Sequence, residues 1–413
     1  MEKTKNFLTM FTQSIGVDEP WYIDRAEFKE DTNEVHVYVR ARETSKYECP
    51  ECGELCARYD NEDEERVWRH GDVVFFPCYV HCRRPRVKCP KHGVHVVTPP
   101  WARAKSRFTL LFESYAMLLM RDMPVEKVRK LLRCSHTALT GILRYWVEKA
   151  VAEDTLEEVR ILCVDETSHR RGQRYVTVVL DGEARRVIDV EEGRDAAAVE
   201  RFSLKLEQKG GDCNKIICMV SDMSSAYKKA RETCFPDATA VIDKFHVKKL
   251  LLDAVEAVRR SEQGIKAWKR GGSGQRLLMI PMSKLTQQQG EAIEILSKKY
   301  PKTGRAYRMV AALDEVYASQ TKAEAEDRLK KLISWLRRSR LESMKKVGAT
   351  LKERSKEILA YFLYRYTNAI AEGLNSMIQA AKRKARGFKT FRGFACMIYL
   401  VCGKLRLSCP ALF

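Results

Sequence analysis

The sequence predicts a multidomain α+β chain: a β-rich N-terminal part, a short helical segment, and a mixed α/β part interrupted by a helical stretch. Three observations carry this. Cysteines and one histidine recur as paired knuckles within the first hundred residues. From about 157 to 243, strand and helix patterns follow as β-β-β-α-β-α-β. From 245 to about 360 the pattern is almost wholly helical.

The composition bounds the rest. At 413 residues the chain is too long for one ordinary core, and two to four domains are expected. Hydrophobic residues at 45% and charged residues at 31% describe a soluble globular protein. No apolar run approaches the ~18 residues of a membrane span. The start, MEKTKNFLTMFTQSIG, lacks the apolar core of a signal peptide, so a cytoplasmic protein with no membrane partner is expected. The net charge of +20, from 75 Lys+Arg against 55 Asp+Glu, points to a polyanion, because each neutralised phosphate releases condensed counterions. The 14 cysteines read as metal ligands or small core residues, not disulfides. Cys134, Cys163, Cys218, Cys234, Cys396 and Cys402 sit in apolar or mixed contexts that suit packing.

Residues 1–45 read as a β segment. Trp21–Phe28 and Glu34–Arg40 flank a turn, and Val35, Val37 and Val39 alternate with polar residues. Residues 46–100 read as a zinc-binding module. Cys49-Pro50-Glu51-Cys52-Gly53 and Cys89-Pro90-Lys91-His92-Gly93 each offer two ligands three residues apart, and zinc wants four in a tetrahedron. The glycine after each pair suits left-handed backbone. The 36 residues between the knuckles imply an inserted hairpin. Cys49, Cys52, Cys89 and His92 therefore form one structural zinc site, with Cys56, Cys78, Cys82, His70 and His95 as alternative ligands.

Residues 101–155 read as a helix-turn-helix segment. Helices are expected over Phe108–Met120, Pro124–Leu132 and Ser135–Val151, with Ser135 as N-cap of the last. Its exposed face, His136, Thr137, Thr140 and Arg144, is expected to contact double-stranded DNA.

Residues 156–250 carry strands at Val159–Val164, Arg174–Leu180 and Arg185–Asp189, a helix at Asp195–Lys209, and a strand at Lys215–Val220. A helix at Ser224–Cys234 and a strand at Thr239–Ile242 complete them. That order is the ribonuclease H arrangement, and Asp165 and Asp222 fall at the strand ends where that fold keeps its acids. Strand alternation points Glu166 to the face opposite Asp165. His169, Arg170 and Arg171 are read as a turn placed to meet phosphate.

Residues 251–355 read as an all-helical insertion broken by Arg270–Gly274. Residues 356–395 return to the catalytic part with a long helix over Glu357–Arg383. Its apolar stripe is expected to include Leu359, Leu363, Leu374 and Met377, with Arg365, Asn368, Asn375 and Gln379 around Glu372 on a polar face. Spacing alone does not choose Glu372 over Glu353 or Glu357 as a third acid. The run KRKARGFKTFR interleaves Lys382, Arg383, Lys384, Arg386 and Lys389 with aromatics, which suits backbone contact with DNA plus stacking. Residues 396–413 form an apolar tail that packs back.

These features, in this order, resemble the ISL3 family of bacterial insertion-sequence transposases. The resemblance rests on the two knuckles, Trp68-Arg69-His70, Pro85–Cys89, Pro100-Trp101-Ala102, Val164-Asp165-Glu166 and Ser221-Asp222-Met223. It also rests on Asp243-Lys244-Phe245-His246, Asn368-x3-Glu372-Gly373-x-Asn375 and Gly387-Phe388. It implies a DDE triad of Asp165, Asp222 and Glu372 holding two Mg²⁺ (or Mn²⁺) ions, and it selects Glu372 as the third acid. It implies binding to terminal inverted repeats, strand cleavage, and strand transfer into target DNA. It further implies a nucleoid-associated homodimer or higher oligomer on paired ends. His246, in a DxxH pattern shared with hAT and Mutator transposases, is implied to lie beside the scissile phosphate. Trp268 or Trp335 would stack on a flipped base, as in similar transposases. A domesticated DNA-binding regulator or a nuclease or resolvase on the same fold is the alternative.

Overall fold

The computed structural model describes residues 9, 12–13, 15–170, 174–264, 273–280, 282–364, 369–385, 388 and 390–409. The chain divides into two compact units. The first comprises Met1–Glu153, Arg383–Arg386 and Leu405–Phe413, and the second Asp154–Lys382 and Gly387–Lys404.

The first unit opens with β1 (Trp21–Lys29), β2 (Glu34–Ala41), β3 (Lys46–Glu48) and β4 (Leu55–Asn61). It continues with β5 (Arg66–Val73), β6 (Phe76–Cys82), β7 (Pro85–Cys89) and β8 (Gly93–Val96). They make two four-stranded sheets, in the orders β1-β2-β6-β5 and β3-β4-β7-β8. The hairpin expected between the knuckles is β5–β6, and it pairs with the N-terminal strands. One core serves both sheets: Val37, Val39 and Trp68 are buried with Tyr47, Cys49 and Trp101. The Trp101 ring meets Trp21 and Trp68 edge-on at 5.0 and 5.8 Å, a favoured aromatic geometry.

Three helices follow, α1 (Leu110–Asp122), α2 (Val125–Leu131) and α3 (His136–Glu153). Thr109 caps α1 by accepting from the Phe112 N–H, and the Ser135 hydroxyl accepts from the Ala138 N–H, as an N-cap should. Arg133, at φ +51, makes the tight turn between α2 and α3. Leu139, Ile142, Leu143, Trp146, Val147 and Ala150 bury one face of α3 at helical spacing.

The second unit is built on a sheet of β9 (Ile161–Arg170), β10 (Arg174–Asp181), β11 (Arg186–Glu192), β12 (Cys218–Ser221) and β13 (Thr239–Ile242), in the order β11-β10-β9-β12-β13. The β9–β10–β11 pairs are antiparallel, and β12 is parallel to both β9 and β13. A central strand covered on both faces must be apolar on both, which the run Ile161–Val164 supplies. Leu162 and Val164 pack toward α4 (Ala196–Gln208) and α5 (Ser225–Cys234). Ile161 and Cys163 face the other way. Their side is covered by α12 (Ser355–Tyr364), α13 (Ala369–Lys384) and α14 (Phe391–Cys402).

Between β13 and α12 lie α6 (Lys244–Gln263), α7 (Ser273–Leu278), α8 (Gln287–Lys299), α9 (Pro301–Ala318), α10 (Lys322–Arg338) and α11 (Glu342–Glu353). They share an apolar core with Ile242 of β13 and Ile358, Leu359 and Phe362 of α12, running from Val247 and Leu251 to Leu332, Val347 and Leu351.

Two local expectations change. β9 continues five residues past Asp165, because Thr167 and His169 bury in period-two alternation and the strand stays paired to β10. The long helix expected over Glu357–Arg383 is described as α12 and α13, with 365–368 outside the described residues. Its stripe is also narrower: Leu363 and Met377 are exposed, while Leu374 and Ile378 pack on the sheet.

Candidate functional site

The first site is a metal cluster at two turns. Cys49 and Cys52 lie between β3 and β4, and Cys89 and His92 between β7 and β8. Gly53 and Gly93 adopt φ of +73 and +82 after the second ligand of each pair, where a Cβ would strain the backbone. The four ligand atoms lie within 4.8 Å of one another. Tetrahedral zinc, with bonds of about 2.3 Å to sulfur and about 2.0 Å to nitrogen, requires edges of roughly 3.8 Å (S–S) and 3.5 Å (S–N). The Cys52–Cys89 sulfurs are 3.8 Å apart. His92 Nδ1 is 3.5 Å from Cys89 Sγ and 3.9 Å from Cys49 Sγ. Burial pushes the Cys89 thiol up, but the Lys91 and His92 backbone N–H groups bring it down to about 6, toward the thiolate that zinc binds. All four positions are filled by protein, so this is a structural zinc site.

The alternative ligands lie outside this group of four. The Cys56 thiol donates to the Glu54 carbonyl, and His95 bonds the His92 carbonyl. His70 is buried against the Thr109 hydroxyl at 2.9 Å. Cys78 and Cys82 lie in β6, where burial pushes both thiols up to about 12. His81 is 2.7 Å from the ring of His36 and 2.9 Å from Glu65.

The second site is the end of the parallel strands in the second unit. The last paired rungs are Cys163 with Val220, and Ser221 with Ile242. Carrying each register onward puts Asp165, Asp222 and Asp243 at one level on three adjacent strands, whose spacing is about 4.8 Å. Asp165 is half-buried. It accepts from the Glu166 N–H at 2.8 Å through Oδ1 and from the Asn375 amide through Oδ2. Burial raises its pKa, and Asp243 and Asp222 add repulsion that His246 offsets in part. Asp222 accepts from the Ser224 N–H at 2.8 Å. Among the described residues neither Asp165 nor Asp222 has a basic ion-pair partner. Asp243 is 2% exposed and caps α6, with Oδ2 3.2 Å from His246 Nδ1. That hydrogen bond raises the His246 pKa despite desolvation.

Glu166 faces away from Asp165: the Tyr227 hydroxyl of α5 donates to it at 3.1 Å. From the opposite side, α13 docks on β9 through three polar contacts one turn apart. Asn375 donates to Asp165, Gln379 to the Thr167 hydroxyl at 2.6 Å, and the Lys382 ammonium to the Ser168 hydroxyl at 2.9 Å. Glu372 stands on α13, one turn before Asn375, and its side chain lies outside the described residues.

The DNA-binding expectations divide. His136, Thr137 and Arg144 are exposed on α3, and the Thr140 hydroxyl donates back to the His136 carbonyl. Arg383 is exposed, whereas Lys382 is engaged with Ser168 on the sheet. His169 is not in a phosphate-facing turn: it is buried and stacks on Phe394 at 5.3 Å, because β9 extends through it. Arg171, Arg386, Lys389 and Trp268, and the side chains of Arg170 and Lys384, lie outside the described residues. Trp335 is 37% exposed on α10. Among the described residues no helix is long and apolar enough to cross a membrane.

Comparison with known proteins agrees with this layout. A family model described as "Transposase" matches residues 162–398. Models described as "Helix-turn-helix domain of transposase family ISL3" and "zinc-finger of transposase IS204/IS1001/IS1096/IS1165" match 97–147 and 46–92. The transposase for insertion sequence element IS1557 of Mycobacterium tuberculosis is 26% identical over 434 residues, covering 97% of each chain. The transposase for IS1001 of Bordetella parapertussis is 23% identical over 389 residues, covering 91% of this chain and 94% of its own.

Proposed function

This chain belongs to the ISL3 family of insertion-sequence transposases, and on that premise we propose that Asp165, Asp222 and Glu372 form the centre at which it cuts DNA and joins it to a target. The protein is a DNA transposase with a DNA-binding helix-turn-helix and a structural zinc. The observation that carries the catalytic reading is the shared level of Asp165 and Asp222 on adjacent parallel strands, with α13 anchored on Asp165 through Asn375. Glu372, one turn earlier on that helix, completes the triad. The β-β-β-α-β-α-β sheet is then a ribonuclease H-like catalytic domain over 156–250 and 356–395, and the helices of 251–355 are an insertion into it. Residues 46–100 form the zinc module between the 1–45 segment and the 101–155 helix-turn-helix, and 396–413 form the tail.

Carboxylates without basic partners are the hard oxygen ligands that Mg²⁺ or Mn²⁺ prefers, so the residues fit a divalent pair. When bound, the ions supply charge to the attacking and leaving oxygens of an in-line displacement. Asn375 fixes the orientation of the Asp165 carboxylate. His246, whose pKa is raised by its hydrogen bond to Asp243, stands beside the scissile phosphate. No covalent protein–DNA bond is required, and water and then a freed 3′-OH serve as nucleophiles. His136, Thr137, Thr140 and Arg144 read the element's terminal repeats, with Arg383 and the basic residues around it on the backbone. Two copies hold two ends together in the nucleoid of the cytoplasm.

The test is purified protein with labelled element ends and a plasmid target. Asp165→Asn and Asp222→Asn abolish Mg²⁺-dependent cleavage and strand transfer and leave end binding intact. Normal strand transfer by either variant ends the proposal. Wild-type cleavage without joining identifies a nuclease, and binding alone identifies a regulator.

A further inference from the structure

Beside the start of α3 lies a cleft that no sequence motif announced. The loop of residues 103–107 forms one wall and the first turns of α3 the other, enclosing about 270 Å³. Arg103, Lys105 and Arg107 all line it, Thr137, Gly141 and Tyr145 line it from α3, and no acidic residue does. Its volume falls just below the roughly 300–1,000 Å³ of enclosed small-molecule sites, which suits part of a polymer better than a whole small ligand.

The loop is held from behind. Glu113, 0% exposed, accepts from Arg103 Nε at 2.8 Å, the Ser106 hydroxyl at 2.6 Å and Trp146 Nε1 at 2.8 Å. Arg66 donates to the Ser106 carbonyl, and the Arg107 carbonyl accepts from the Arg69 N–H. The Arg103 guanidinium lies 4.0 Å from the Tyr145 ring. Ser106 is thus pinned inward, while Lys105 and Arg107 are left exposed. Among the described residues neither of these two cations forms an ion pair. Lys105 sits at φ +62, a conformation a lysine adopts only when its surroundings impose it. On the facing wall, Gly141 has nothing within 4 Å of a Cβ position, so the cleft stays open where a larger residue would fill it.

The geometry points to a phosphodiester seat: Lys105 and Arg107 clamp the DNA backbone beside α3 and set the depth and register at which His136, Thr137 and Arg144 meet the bases. This rests on the reading of α3 as the DNA-recognition helix. The ligand is the sugar–phosphate backbone, since the cations stand on the loop across the cleft from α3, where ammonium and guanidinium donors meet phosphate beside the helix. The cleft therefore contributes affinity without sequence preference.

The experiment measures Kd of the full-length chain for two short duplexes of unrelated sequence across a salt series. Lys105→Gly removes the ammonium at a φ that glycine adopts freely, so the fold is retained; Arg107→Gln removes a charge at an exposed position. The double variant is expected to bind both duplexes more weakly by the same factor. Its log Kd–log salt slope should be shallower by about 0.9 for each phosphate left without its cation, up to about 2 in all. Gly141→Glu, which favours the helix but puts a carboxylate into the cleft, should weaken both duplexes as well. A double variant whose slope equals that of the wild type overturns the seat alone. A wild-type chain that binds neither duplex overturns it together with the DNA-binding reading.

Discussion

The zinc site and the proposed acid centre of this chain pose opposite problems. The zinc ligands come from two turns, each supplying its pair within four residues, and their four atoms already lie within 4.8 Å of one another. The acids come from β9, the residue after β12, and α13; Asp165 and Asp222 are 57 positions apart in sequence, and Glu372 lies 150 further on. The first site ties together two turns of a β unit whose core is built around Trp21, Trp68 and Trp101. The second holds like charges together with no basic ion-pair partner for Asp165 or Asp222 among the described residues, a cost that His246 offsets only in part and that a bound cation would offset further. Removing the metal should therefore unfold one unit and leave the other folded.

The largest effect is expected at the zinc. Structural zinc contributes on the order of 10–16 kcal/mol to small metallo-domains. Cys89→Ser, or a strong chelator, should collapse the packing around Trp68 and Trp101, read as loss of their near-ultraviolet dichroism, and abolish DNA binding. An unchanged tryptophan spectrum after verified zinc loss would mean that the two-sheet core stands alone.

The acid site should behave in the reverse way. Asp222→Asn keeps the acceptor for the Ser224 N–H and removes one repelling charge. The metal-free variant should melt at or above the wild-type temperature. Mg²⁺ at about a hundred times its dissociation constant should stabilise the wild type by about 2.7 kcal/mol and this variant by far less. If Asp222→Asn melts lower in the absence of metal, or responds equally to Mg²⁺, the contrast with zinc fails.

A buried neutral histidine gives the zinc-bearing unit its own pH limit. Burial holds His70 at about 4, below its ordinary 6.5, with the Arg69 charge adding to the shift. Above about 6.5 the ring is neutral whether folded or unfolded. As pH falls from there toward 4, only the unfolded chain takes up the proton, and stability declines by up to about 3 kcal/mol. Thermal melts followed by tryptophan fluorescence from pH 7 to 4 should show that slope, and His70→Asn should flatten it.

What could be read in advance follows from how local each signal is. The knuckles are short-range, so ligands, glycine conformation and the intervening hairpin were all legible. The strand leading into Asp165 was legible because four apolar residues form it. The continuation of β9 was not, since Glu166–Arg170 carries the composition of a turn; Thr167 and His169 bury only because α13 and α14 supply partners for them. Asn375 and Gln379 read only as a polar face around Glu372, and Lys382 as a DNA-backbone contact, because their partners on β9 are remote in sequence. The 103–107 loop carries no sequence signal, because what holds it is Glu113 inside the following helix.

The smallest expected effect probes that join between α13 and β9. Asn375 is the one described side chain of α13 that bonds Asp165, and Gln379 and Lys382 hold the same helix in place two and three rungs further along the strand. Removing the Asn375 amide should leave the helix docked but free the Asp165 carboxylate to rotate. Loss of such an orienting partner typically costs 10–100-fold in metal affinity or activity. Asn375→Ala should slow cleavage by about that factor and raise the Mg²⁺ concentration needed for half-maximal rate, with Kd for DNA and the melting temperature nearly unchanged. Asn375→Asp, which replaces the donor by a third repelling charge, should be slower still when metal is limiting and recover part of the rate at high Mg²⁺. A uniform loss that no Mg²⁺ concentration recovers, accompanied by a lower melting temperature, would make Asn375 a fold contact and separate the placement of α13 from the chemistry.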